Sequence, residues 1–142
     1  MEDRYLFKGK RIDNGEWVQG ALFNGESHCI IGQEIKFSPY TEHECKIVGY
    51  EVDRDTICQC TGLKGKNGKL IWENDVVAYW DAYSTESGYA EADCIGKVVW
   101  DDETISFQVT NRLSAESWEV LDDECSVVGN AIDNPELLEV EE

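Results

Sequence analysis

Thr61-Gly62-Leu63-Lys64-Gly65-Lys66-Asn67-Gly68-Lys69-Leu70-Ile71-Trp72-Glu73-Asn74-Asp75-Val76-Val77 is the stretch on which the fold of this chain turns. Asn67-Gly68 suits both left-handed positions of a type I′ turn, whose twist matches a pair of antiparallel strands. Lys64, Lys66 and Lys69 keep that tip in water. Leu70-Ile71-Trp72 then runs to a polar break at Glu73-Asn74-Asp75. Val76-Val77-Ala78-Tyr79-Trp80 follows, β-branched and aromatic enough for a buried strand. The stretch predicts a hairpin feeding a sheet.

Upstream of it, Tyr5-Leu6-Phe7 starts a strand, and Asn14-Gly15 joins Arg11-Ile12-Asp13 to Glu16–Leu22 as a second hairpin tip. Cys29-Ile30-Ile31, Ile35-Lys36-Phe37 and Lys46–Val52 are further short strand candidates, separated by Gly32-Gln33 and by the polar stretch around Pro39. Residues 1–60 are therefore expected to form a small N-terminal antiparallel sheet.

Downstream, strands are expected at Val76–Trp80, Ile95–Trp100, Ile105–Val109, Trp118–Leu121 and Ser126–Ile132, with Asp101-Asp102-Glu103 as a turn. Ile105, Phe107 and Val109 alternate with Ser106 and Gln108, the period of a strand with one wet face. Short strands joined by turns are what an SH3-like barrel needs, so residues 61–142 are expected to be an SH3-like β-barrel module. The two modules form either separate cores or one continuous domain. Residues 81–93 have no clear period and read as a long loop, a common place for binding residues. Asn134-Pro135-Glu136-Leu137-Leu138 reads as an N-cap with Pro at the first helical position, starting a short C-terminal helical turn.

At 142 residues the chain is long enough to fold without covalent staples, since a compact domain of this size buries roughly 68% of its unfolded surface. Five Trp, six Tyr and 42% hydrophobic residues supply a core, and two Pro with no Ser- or Gly-rich run argue against a long linker. No apolar run is long enough to span a bilayer as a helix, and Met1-Glu2-Asp3-Arg4 has no secretory character. The expectation is a cytoplasmic protein with no membrane partner. In a reducing compartment Cys29, Cys45, Cys58, Cys60, Cys94 and Cys125 are expected to be free thiols. A zinc site built from Cys58 and Cys60 with His28, Cys29, His43 and Cys45 has the right residue types but the wrong spacing.

Charge is the second constraint. Twelve Lys and Arg against thirty Asp and Glu leave a net −18, which disfavours nonspecific nucleic-acid binding by the chain as a whole. From Leu113 onward there is no Lys or Arg, so the C-terminal part is strongly negative. Basic residues gather at Arg4, Lys8, Lys10 and Arg11, and again at Lys64, Lys66 and Lys69. Were those groups to meet, they would form one positive patch.

Catalytic signatures are missing: there is no nucleophile elbow, phosphate-binding loop or zinc-protease helix, and His28 and His43 lie outside any recognisable catalytic pattern. No cofactor is implied. Of the five Trp, Trp72 and Trp80 flank the Asn74 turn and are the candidates for an exposed stacking surface, against the ordinary fate of large aromatics in a core.

The opening stretch also resembles the TGLKDKNGKxIYEGDIV-like hallmark of the YopX-like family of phage and prophage proteins, with Gly65 in place of Asp, Trp72 in place of Tyr and Asn74 in place of Gly. Three further blocks agree in order: Phe7–Lys10 with Asn14–Val18, Val52-Asp53 through Thr56 to Gln59, and Val128-Gly129-Asn130 with Asn134–Leu138. The resemblance spans nearly the whole chain and implies a similar β architecture, with no established biochemical activity.

Together these readings point to a phage or prophage accessory protein, not an enzyme, that binds a host or phage protein through its β surface and acidic face. The alternative is a nucleic-acid-related protein. In one form Lys8, Lys10, Arg11, Lys64, Lys66 and Lys69 touch phosphates; in the other the acidic face imitates DNA. Self-association into a homo-oligomer is compatible with each reading.

Overall fold

The computed structural model describes residues 3–36, 45–85 and 88–139, with 3, 36, 81–85, 88–93 and 114–118 described by their backbone. The chain is mainly β. Its strands are β1 (Phe7–Lys10), β2 (Trp17–Asn24), β3 (Cys29–Lys36), β4 (Cys45–Val52), β5 (Cys58–Lys64), β6 (Leu70–Trp72), β7 (Asp75–Thr85), β8 (Gly88–Asp101), β9 (Ser106–Asn111), β10 (Ser114–Val120) and β11 (Ser126–Asn130). Short 3-10 turns occupy Asp3–Tyr5, Arg54–Thr56 and Pro135–Leu138. Contacts divide the chain into two compact units, Met1–Cys60 and Thr61–Glu142. The strand candidate that included Phe37, the stretch around Pro39 and His43 lie wholly or partly outside the described residues.

In the first unit the strands lie in the order β4-β3-β2-β1, and the first residues of β5 pair with β1 on its other side. All these pairs are antiparallel. Alternation along each strand turns Val18, Cys29, Ile31 and Val52 inward, where Phe7, Leu22, Tyr50 and Ile57 pack on them. The sheet curls far enough for Arg11 to bridge Val52. There the Ile12 N–H donates to the Glu51 carbonyl at 3.0 Å and the Asp53 N–H to the Lys10 carbonyl at 2.8 Å. The buried Thr56 hydroxyl locks this end, accepting from the Lys10 N–H and donating to the Asp53 carbonyl.

Both Asn-Gly corners are hairpin turns, but neither is type I′. Gly15 and Gly68 have positive φ (72° and 81°), whereas Asn14 and Asn67 are not among the residues that do. At the second corner the Gly68 N–H donates to the Gly65 carbonyl and the Gly65 N–H to the Lys69 carbonyl, the pattern of a three-residue loop with glycine in the left-handed bulge position. Each Asn side chain explains the difference: its Oδ1 accepts from the backbone N–H two residues on, Glu16 in one corner and Lys69 in the other.

The second unit is built on an antiparallel sheet in the order β10-β9-β8-β7-β11. Its core holds Ile71, Val77, Tyr79, Cys94, Val98, Val109 and Cys125, with Leu63, Phe107, Leu121 and Val127 packed against them. The expected SH3-like barrel does not close: among the described residues no ladder joins β10 to β11, and the sheet is open. Closure needs the first and last strands to meet, a long-range pairing that the spacing of apolar runs does not encode.

Other expectations are corrected at the level of single elements. Residues 81–85 and 88–93 are strand and not loop, because β7 and β8 pair continuously from Val76↔Lys97 to Thr85↔Gly88. The ladder bonds run between backbone groups, so strand pairing here needs no apolar period. Ile105 lies in the turn before β9, at φ 52°. Gln108, assigned to a wet face, is buried and donates to Ser106 Oγ at 2.8 Å, which is why a polar residue is tolerated there. Asn134 does not cap the C-terminal turn with its side chain; its Oδ1 accepts instead from the Asn130 N–H. The turn itself, Pro135–Leu138, is 3-10.

Candidate interaction groove

The two tryptophans flanking the Asn74 turn have opposite fates. Trp72 is 5% exposed and belongs to the interior, whereas Trp80 is 58% exposed. Strand period decides this for Trp80: Val77 and Tyr79 point into the core of the second unit, so Ala78 and Trp80 face outward. A surface role for aromatics at this turn therefore rests on Trp80.

Trp80 borders a groove of about 540 Å³ lined by Lys66, Ala78, Tyr79, Asp122, Glu124 and Ser126. The pairing of β11 with β7 sets Ser126 opposite Ala78. The β5–β6 hairpin is tied to the start of β11, as the Lys66 N–H donates to the Cys125 carbonyl at 2.8 Å and the Asn67 amide to the Val127 carbonyl at 3.4 Å. Asp122 is held by its own turn, Oδ1 accepting from the Glu124 N–H at 2.9 Å and from the Cys125 thiol at 3.7 Å. Burial pushes that thiol up to about 11, with the Asp122 and Glu119 charges acting the same way.

The face of an exposed indole and the carboxylates of Asp122 and Glu124 both attract positive charge, and the groove they line also holds Lys66. The surrounding unit reinforces the attraction. Residues 61–142 carry five Lys and Arg against nineteen Asp and Glu, net −14, whereas residues 1–60 carry seven against eleven, net −4. From the sequence Asp122 and Glu124 stand only among the many carboxylates of the acidic C-terminal part, and Ser126 carries no signal. Asp122-Asp123-Glu124 is also a polar break between two strand candidates, and its position beside Trp80 follows from a non-local strand pairing.

The basic candidates fall in different units. Lys64, Lys66 and Lys69 are exposed on the hairpin of the second unit, and of these Lys66 lines the groove. Lys8 and Lys10, two apart on β1, place their ammonium groups 4.8 and 5.5 Å from the centre of the Trp17 ring in the first unit. Arg11 lies 4.5 Å from the Tyr50 ring and grips Asp13 with two bonds of 2.9 and 2.6 Å. That bidentate bond raises the Arg11 pKa and lowers that of Asp13.

Cys58 and Cys60 are buried together in β5, and Cys45 is the exposed cysteine. His28 Nδ1 lies 2.7 Å from Glu51 Oε1. Among the described residues no three His, Cys, Asp or Glu side chains are grouped to hold a metal. None of the described helices is long and apolar enough to cross a membrane.

A family model described as YopX protein matches residues 6–139. The chain belongs to the YopX protein family. Among solved structures it is similar to the crystal structure of protein EF1440 from Enterococcus faecalis, with 28% identity over 94% of this chain and 96% of that one and a TM-score of 0.50. No curated protein matches the sequence. Two departures from the YopX hallmark now have a structural meaning. Asn74 takes the left-handed conformation of the usual Gly, at φ 71°. Gly65 lies where a Cβ would run into the Cys125 carbonyl oxygen, so the usual Asp does not fit this hairpin without movement.

Proposed function

We propose that this YopX-family chain is a non-catalytic interaction module of a phage or prophage, which captures a basic side chain of a host or phage protein in the Trp80 groove. The observation that carries this reading is the 58% exposure of Trp80 in a groove rimmed by Asp122 and Glu124. Exposed Trp is an unusual surface residue and a frequent anchor of binding energy, and carboxylates beside it select a cationic partner. The excess of acid in the second unit supports charge-steered capture.

The test is an affinity capture from infected cells with the full chain, its Trp80→Ala variant and its Asp122→Asn/Glu124→Gln variant. A defined protein is expected on the wild type, weakened by salt and depleted at least tenfold by either variant. Equal recovery on all three baits sinks the proposal. Direct nucleic-acid contact has less support, because Lys8, Lys10 and Arg11 already lie against Trp17, Tyr50 and Asp13. It predicts instead a gel shift lost when those residues are neutralised.

A further inference from the structure

β4 is the last strand of its sheet, and its backbone shows which groups are left over. The Ile12 N–H reaches the Glu51 carbonyl from the side away from β3, so the alternate residues Gly49, Ile47 and Cys45 turn their own N–H and C=O groups to that same side. Among the described residues, Arg11 and Ile12 pair with the edge at Glu51 and Val52, and Ile12 and Asp13 stand beside Gly49 and Tyr50. Among the described residues nothing pairs with it from Cys45 to Gly49. Its register with β3 runs unbroken from Cys29↔Val52 to Lys36↔Cys45, without the bulge that usually twists an edge away, and from Cys45 to Tyr50 Lys46 is the one charged residue. On the same outer face Ile47 is 78% and Phe23 64% exposed.

We propose that a second copy of this chain occupies the edge, pairing antiparallel through Cys45–Gly49 about a two-fold axis at Ile47. Charge favours this occupant. The segment Cys45–Tyr50 contains no carboxylate, carries Lys46 and belongs to the unit of net −4, so two copies of a −18 chain meet there with little direct repulsion.

Symmetry selects the register. A two-fold antiparallel pair requires one residue to face its own copy, and centring on Gly49 would call on the Glu51 carbonyl already taken by Ile12. Centred on Ile47, the outward groups of Cys45, Ile47 and Gly49 are all matched. Ile47 opposes Ile47, Cys45 opposes Gly49 and Lys46 opposes Val48, leaving an apolar cross-strand pair and no like charges directly across. The residues of this edge belong to the first unit and those of the Trp80 groove to the second, and neither proposal depends on the other.

Sedimentation equilibrium of the purified full chain tests this. The wild type is expected to dimerise, more tightly as salt screens the net charge. Ile47→Asp is expected to weaken association at least tenfold with an unchanged circular dichroism spectrum, since the side chain is already in water. Ile47→Pro, which removes an outward N–H and no ladder bond to β3, is expected to do the same. In the proposed register the two Cys45 residues stand about 14 Å apart, four residues of strand rise. A bismaleimide of that reach therefore joins them and fails with Cys45→Ser. A chain that stays monomeric at all concentrations overturns the proposal, as does a dimer indifferent to both Ile47 variants or one in which Cys45 is not cross-linked. A foreign strand as the real occupant appears as the first of these outcomes.

Discussion

The Trp72 amide donates to Asp75 Oδ2 at 2.8 Å, and both residues are buried, at 5% and 3% exposure. This bond closes the polar break between β6 and β7, so the Glu73-Asn74-Asp75 interruption that looks like a solvated turn contains a carboxylate facing inward. Asp75→Ala leaves the Trp72 N–H without this acceptor. The expected loss is about 2 kcal/mol, in the range for a buried hydrogen bond to a charged group, read from urea unfolding with an unchanged m-value. A loss below a few tenths would show that the bond is dispensable.

Asn74 lies between them at φ 71°, with its N–H on the Val98 carbonyl and its own carbonyl accepting from Ala131. A β-branched side chain is poorly tolerated there, so Asn74→Val is expected to destabilise by about 1–2 kcal/mol. Asn74→Gly, which restores the hallmark residue, is expected to fold with the same spectrum. Thermal unfolding of the pair separates backbone strain from loss of the Asn side chain.

Ile105 presents the opposite case. It is β-branched, 74% exposed and held at φ 52° in the β8–β9 turn, where Asp101 already bonds the Glu103 N–H and the Thr104 hydroxyl. Replacing it by Asn keeps the turn and relieves the conformation, for an expected gain of about 1 kcal/mol. A lowered melting temperature would mean that the exposed side chain makes a contact that stabilises the fold.

Cys125 couples stability to alkaline pH. Its thiol is pushed up to about 11 from 9.0, chiefly by burial, so the folded chain keeps this proton where the unfolded chain loses it. The contribution is complete below about pH 9 and disappears as pH rises through 11. Wild type is expected to lose more melting temperature between pH 8 and pH 11 than Cys125→Ala. At neutral pH a thiol reagent is expected to label exposed Cys45 well before Cys125.

The sequence by itself determined what depends on neighbouring residues. Leu70–Trp72 and Val76–Trp80 become strands because their β-branched and aromatic side chains favour an extended backbone. Gly15 and Gly68 make corners because they take positive φ without strain, and the blocks around them are sufficient to place the chain among YopX relatives. Tertiary structure decided what depends on distant partners. It made 81–85 and 88–93 a ladder, left the second sheet open, buried Gln108 among hydroxyls, and turned Trp72 inward and Trp80 outward. It also carried Asp122 and Glu124 to Trp80 through the β7–β11 pairing. Side-chain alternation says which residues share a face, but the strand that arrives later in the chain decides whether that face is covered or left to water.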